Sequence, residues 1–184
     1  MCHLSKTPRP MMLRSDRLIL RAVEPEDLDT MYLVENDTRL WPHGLASVPF
    51  SAHALREFIA QSHSDIYRDG QLRLTIANPD GIILGFLDLQ DFQPRHLRAG
   101  VGIVLLPEWQ GRGLATEALS LLADYAASHL SMHQLYAVVA RGNAPALALF
   151  RRAGFREAGT LAGWLRRGED YEDALLLQRL LAAP

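Results

Sequence analysis

Residues 107–116, Pro-Glu-Trp-Gln-Gly-Arg-Gly-Leu-Ala-Thr, join a strand-like run (residues 101–106) to a helical run (residues 112–128). Gly111 and Gly113 remove two Cβ atoms at this junction, so the backbone can turn tightly and aim several N–H groups at one point. The first turn of the helix that follows leaves unpaired N–H donors and a partial positive charge. Together these make a seat for a phosphate group.

Three phosphate motifs compete for this segment. A Walker loop ends in Gly-Lys-Ser/Thr, but Leu114 follows Gly113, which excludes it. The dinucleotide fingerprint wants a third small residue where Thr116 stands, and an acid after the next strand. The next strand-like run, residues 135–140, ends in Arg141 instead. That weakens the reading but leaves it open, because an Arg can receive a 2′-phosphate. The third motif is the pyrophosphate loop Gln/Arg-x-x-Gly-x-Gly/Ala of acyl-CoA transferases, and Gln110, Gly113 and Ala115 satisfy it in full. An ordinary glycine turn capping a helix remains the bland alternative.

Composition narrows the partners. The 184 residues fit one domain, able to bury about two-thirds of its unfolded surface. A net charge of −2 gives no electrostatic footprint for nucleic acid or an anionic membrane. Cys2 is the single cysteine, so no internal disulfide or thiolate metal cluster is expected. His129 and His133 stand four apart without the intervening Glu of a zinc helix; no metal is expected. With no membrane-length apolar run and no signal peptide, the expected location is the cytoplasm. Residues 1–12 read as a disordered leader and residues 13–182 as a single domain.

The pattern along the chain is mixed. Residues 17–23 alternate as a strand, and Pro25 opens a helix with Glu26 and Asp27 at its positive end. A loop over 36–49 follows. Ser51 is the N-cap of a helix that carries Leu55, Phe58, Ile59 and Ile66 on one face and ends at Asp69-Gly70. Strands are predicted over 72–77, 82–92 and 99–106, the first two joined by the turn Asn78-Pro79-Asp80-Gly81. The helix after the loop places Leu114, Ala118, Leu121, Leu122 and Tyr125 on one face. A strand over 135–140, a helix over 145–152 and strands over 155–161 and 171–180 complete the chain.

Nearly the whole length resembles the GNAT acetyltransferase superfamily, in the branch of the ribosomal-protein-alanine and spermidine N-acetyltransferases. Leu13-Arg14-Ser15-Asp16-Arg17-Leu18-Ile19-Leu20-Arg21 is similar to the branch's first strand, and Glu24-Pro25-Glu26-Asp27-Leu28 to the start of its first helix. Residues 107–116 are similar to its CoA loop. Asn143-Ala144-Pro145-Ala146 and Phe150-Arg151-Arg152-Ala153-Gly154-Phe155 are similar to its last helix and following strand.

The resemblance implies an α/β (α+β) GNAT fold. Its mixed central sheet has about seven strands, splayed between the fourth and fifth, with helices on both faces. The splay leaves backbone groups that a ligand amide can satisfy. The pantetheine arm of acetyl-CoA is accordingly expected beside Ile103, Val104 and Leu105, and its pyrophosphate over Gln110, Gly111, Arg112, Gly113, Leu114, Ala115 and Thr116. Asn143 corresponds to the pantetheine-contacting residue and equally reads as an N-cap. Phe150 stands where the spermidine enzymes hold a thiolate-protonating Tyr, and a phenyl ring donates no proton. Gly100 stands where many relatives carry a Glu base. Asp88, Asp91 and Glu108 are the candidate replacement bases; in a regular strand only one of Asp88 and Asp91 can face the site. Trp41 either lines the acceptor pocket or packs under its loop. Tyr171 and Asp173 either touch the acceptor or fix the terminal hairpin.

The implied activity is transfer of an acetyl group from acetyl-CoA to a primary amine. A protein or peptide N-terminus is the first expectation for the acceptor, and a polyamine or other small-molecule amine the alternative. A non-catalytic acyl-CoA-binding module and an NADPH-dependent reductase are the competing classes. A homodimer is a compatible assembly.

Overall fold

The computed structural model describes residues 13–41, 48–62 and 65–181. The expected leader, residues 1–12, lies outside the described residues, as do residues 42–47 of the expected 36–49 loop. Strand β1 (Ile19–Ala22) is followed by a 3-10 turn (Pro25–Asp27) and helix α1 (Leu28–Glu35). Pro25 opens the turn as expected, but the α-helix proper begins only at Leu28. Helices α2 (Ala52–Gln61) and α3 (Ile66–Asp69) come next. Ser51 caps α2, its Oγ accepting from Ala54 N at 3.0 Å.

The single helix expected to run on to Asp69 is therefore two. Ser62 leaves helical geometry at ψ 109°, and Asp65 starts a new turn by accepting from Tyr67 N at 3.0 Å. Short polar side chains that bond nearby backbone compete with helix continuation.

Strands β2 (Leu72–Ala77), β3 (Ile83–Gln93) and β4 (Arg98–Leu105) form an antiparallel meander. A 3-10 turn (Pro107–Trp109), α4 (Leu114–Ser128), β5 (Gln134–Ala140), α5 (Ala144–Arg152), β6 (Arg156–Arg167) and β7 (Asp170–Leu180) complete the order. The sheet runs β1-β2-β3-β4-β5-β7-β6. Among the described residues only β4 and β5 pair in parallel. The terminal hairpin is longer than the sequence pattern suggests, because β6 continues through register irregularities between Leu161 and Leu165.

Strand alternation assigns the two faces. Ala99, Val101 and Leu105 of β4 join Leu135, Ala137 and Val139 of β5 under α4 and α5 in the larger core. Helix α4 buries Leu114, Ala118, Leu119, Leu122, Ala123 and Ala126, whereas Leu121 and Tyr125 are only half-buried. The smaller core packs Met31, Val34, Leu55 and Ile59 of α1 and α2 on Phe86, with Val104 at its edge. Asp27 and Thr75 are the buried polar side chains among the described residues. The Asp27 carboxylate receives Arg21 at 2.7 Å on both oxygens, the Thr75 hydroxyl at 2.7 Å and Glu24 N at 3.0 Å.

Candidate functional site

Strands β4 and β5 touch only at their beginnings, through Arg98–Gln134, Ala99–Leu135 and Gly100–Tyr136. Beyond Gly100 and Tyr136 they part. The outer edge of β4 is occupied by β3 and that of β5 by β7, so the cleft between them exposes backbone on its two inner edges. Ile103 and Val104 on its wall are half-buried, while Leu105 is buried. A chain of amides laid along β4 would complete the ladder there.

The cleft leads to the glycine loop. Gly111 and Gly113 both adopt left-handed backbone, at φ 73° and 76°, a region that a Cβ disfavours. A Cβ at Gly111 meets nothing within 4 Å, and at Gly113 only Arg17 Nη2 at 3.9 Å, so the outer surface of the loop is open. Gly113 is the N-cap of α4 and supplies no side-chain cap, leaving the first-turn N–H groups for an anion. Gln110 turns back to donate from Nε2 to Leu105 O at 2.9 Å, tying the loop to the end of β4. Arg112 stacks over Trp109 with its guanidinium carbon 5.0 Å from the ring centre. The loop therefore fits a diphosphate at one end of the cleft, and the cleft fits the extended amide arm attached to it.

A second half of the site lies on the α1/α2 face of the sheet. Arg73 of β2 binds Asp88 through Nε at 2.7 Å and Nη2 at 3.0 Å, and also binds Glu35 at the end of α1. Burial alone would lower the Arg73 pKa, but the two carboxylates outweigh it and hold the guanidinium protonated. A cavity of about 220 Å³ opens beside this triad, walled by Met31, Phe50, Leu55 and Phe58. Asp88 and Gln90 line the cavity and pair with Gly102 and Gly100 of β4. The cavity thus adjoins the point where the β4–β5 cleft closes.

Residues 17–156 match the acetyltransferase (GNAT) domain family. The chain belongs to the GNAT acetyltransferase family. It is 30% identical over 156 residues to the spermidine N(1)-acetyltransferase of Escherichia coli K12, covering 85% of this chain and 82% of the relative. It is 25% identical over 166 residues to the L-amino acid N-acetyltransferase AaaT of the same organism, covering 89% and 98%. Among solved structures, the spermidine N-acetyltransferase from Vibrio cholerae in complex with CoA and spermine superimposes with a TM-score of 0.81 at 25% identity, over 90% of this chain and 96% of that one. This GNAT domain is an acetyl-CoA-dependent amine N-acetyltransferase, and the expected splayed, seven-stranded fold is the one observed.

The residues singled out in the GNAT sequence fall into three groups. The β4 residues Ile103, Val104 and Leu105 lead through the 3-10 turn to the loop residues 110–116, of which Leu114 is buried in the larger core. Asn143 is the N-cap of α5, its side chain accepting from Ala146 N at 3.2 Å. Phe150 is buried and packs edge-on to Phe155 with ring centres 5.1 Å apart.

Trp41 and Asp173 each bond local backbone. The Trp41 indole N–H donates to Glu35 O at 2.9 Å and closes the end of α1. Asp173 accepts from Gly163 N at 2.9 Å and lies 3.6 Å from Arg141 Nε, bracing the β6–β7 hairpin. Tyr171 is exposed on that hairpin.

The candidate bases differ from one another. Glu108 is exposed on the 3-10 turn before the loop. Asp88 is held by Arg73. The expectation that only one of Asp88 and Asp91 can face the site assumed a regular strand, and it fails here. The β3–β4 register shifts between Gln90 and Gln93, and Asp91 takes φ 51°. Leu89 and Phe92 both enter the larger core, so the bulge leaves Gln90 and Asp91 together on the opposite face with Asp88. Sequence reasoning missed Arg73, Glu35 and Tyr136. Alternation marks the face of each within its own strand or helix, but only inter-strand register brings them together.

Proposed function

We propose that this enzyme acetylates a primary amine with a single charged reacting end, such as a peptide N-terminus, held on the α1/α2 face of the sheet. Acetyl-CoA enters from the opposite side, with its diphosphate on residues 110–116 and its thioester arm in the β4–β5 cleft. The observation that carries this reading is that the cleft closes at Gly100 and Tyr136, beside the cavity bounded by Asp88 and Gln90. A thioester carbonyl at the closed end can accept from a β4 backbone N–H, which stabilises the charge that develops on attack. Holding amine and thioester together there supplies much of the rate.

The charge at the site favours a monocationic acceptor. Glu35 and Asp88 share Arg73, so the triad carries one net negative charge, and Asp91 on the same face adds one further carboxylate. Gly100 adds no carboxylate. A polyamine needs several unpaired carboxylates along its length; similarity to spermidine acetyltransferases supports it as the second reading. Mass spectrometry of products from acetyl-CoA with alanyl peptides, free amino acids and spermidine separates the two. Peptide acetylation with little spermidine turnover is the expected result, and spermidine as the preferred acceptor reverses the order.

A further inference from the structure

Gly100 and Tyr136 stand directly opposite each other at the last paired position of β4 and β5. Gly100 is buried, and a Cβ on it would lie 3.2 Å from Tyr136 Cζ, 3.3 Å from Tyr136 Cε2 and 3.3 Å from Gln90 Cγ. The Tyr136 ring therefore lies across the glycine, in space that a larger residue would crowd. Gln90 pairs with Gly100 from the other side. The β3 bulge turns the next residue, Asp91, onto this same face, where its negative charge acts on the Tyr136 phenol. Burial raises the phenol pKa and Asp91 raises it further, while Arg98 of β4 acts against both. Gln178 of β7, paired with Tyr136, and Gln90 are uncharged. The phenol thus stays neutral near neutral pH.

We propose that Tyr136 and Asp91 form a proton relay for the acceptor amine, with the phenol seated in the niche that Gly100 leaves open. The relay rests on the amine-acetylation reading above. An ammonium at the closed end of the cleft gives a proton to the Tyr136 oxygen as the phenol proton moves to Asp91. The neutral amine attacks the thioester carbonyl carbon. A C–N bond forms, the C–S bond breaks, and a second amine proton ends on the sulfur as the CoA thiol. Asp91 is exposed and returns its proton to water. One ammonium and one thioester become one amide, one thiol and one proton.

The test follows CoA release from acetyl-CoA with butylamine, an alanyl tripeptide and spermidine from about pH 6 to about pH 10, with acetyl-CoA Kd measured by calorimetry. Tyr136→Phe and Asp91→Asn are each expected to lower kcat/KM roughly 100-fold near pH 7 with Kd unchanged. The deficit should shrink towards pH ~10, where the amine arrives uncharged. A loss equal at all pH values, or a Tyr136→Phe enzyme as fast as the parent, overturns the relay while the acetylation reading stands. Ultraviolet titration of the tyrosines needs no acceptor. Asp91→Asn should lower one ionisation midpoint, the one that Tyr136→Phe removes, and an unchanged titration overturns the pairing. A parent enzyme that binds acetyl-CoA but releases no CoA with any of the three amines overturns the acetylation reading, and the relay falls with it.

Discussion

Arg17 Nη2 meets Glu117 Oε2 at 2.5 Å, joining the segment before β1 to the first turn of α4. Ser15 Oγ donates to the other Glu117 oxygen at 2.5 Å, and Arg17 Nη1 reaches the Arg112 carbonyl at 3.4 Å. Burial alone would raise the Glu117 pKa, but Ser15 and Arg17 hold it below its ordinary value. The Arg17 side chain is half exposed, so the pair adds only about 0.5 kcal/mol to stability. Its larger effect is to hold the glycine loop at Arg112 in shape. Arg17→Ala should weaken CoA binding about tenfold, ~1.4 kcal/mol, with little change in Tm. Calorimetry and a thermal melt on one preparation check both halves.

Gly113 sits at φ 76° with open space around its missing Cβ, so the effect of Gly113→Ala is conformational. The left-handed backbone should cost an Ala roughly 1–2 kcal/mol, lowering both Tm and CoA affinity. Gly100→Ala should leave CoA affinity intact and impair acceptor turnover, because its Cβ crowds Tyr136. Parallel measurement of CoA Kd and amine kcat/KM distinguishes the two glycines.

Burial raises the Asp27 pKa, but Arg21, Glu24 N–H and Thr75 together hold it below its ordinary 3.8. A depressed folded-state pKa stabilises the protein above the unfolded value, and that stability is lost as pH falls through the folded one. Asp27→Asn should destabilise the enzyme by about 3 kcal/mol at neutral pH. The gap between parent and variant should narrow below pH 3.8. Urea unfolding at several pH values reads this out.

Asp88 is committed to Arg73, which occupies both of its carboxylate oxygens. Asp88→Asn should leave the pH dependence of kcat/KM unshifted, unlike Asp91→Asn. Arg73→Met strands Glu35 and Asp88 beside each other and should destabilise the fold by roughly 3 kcal/mol. The pH–rate profile and the denaturation midpoint test these outcomes separately.

The glycine loop was legible because its backbone geometry is local. Two glycines and a helix start within residues 110–116 fix the geometry without help from the rest of the chain. The meander and the covered sheet were legible because periodicity survives in β2, β3 and α4. The Asp91 bulge was not, since the φ of one residue decides which face it joins. Tyr136 was hidden for a related reason. Its neighbours Gly100, Gln90 and Asp91 lie on two other strands, and their meeting depends on registers that no single stretch encodes. Gly100 was visible as a departure from the family pattern; the ring lying across it was not. The break between α2 and α3 escaped because the apolar face at Leu55, Phe58, Ile59 and Ile66 continues across it.

Strands β4 and β5 are clasped by three residue pairs at one end and gape at the other. The sheet has the outline of a clothes-peg, joined at one end and parted at the other. Any molecule that knits the two jaws together contributes to folding by mass action. If acetyl-CoA does so, the thermal stability of this enzyme should rise with the concentration of coenzyme A thioesters.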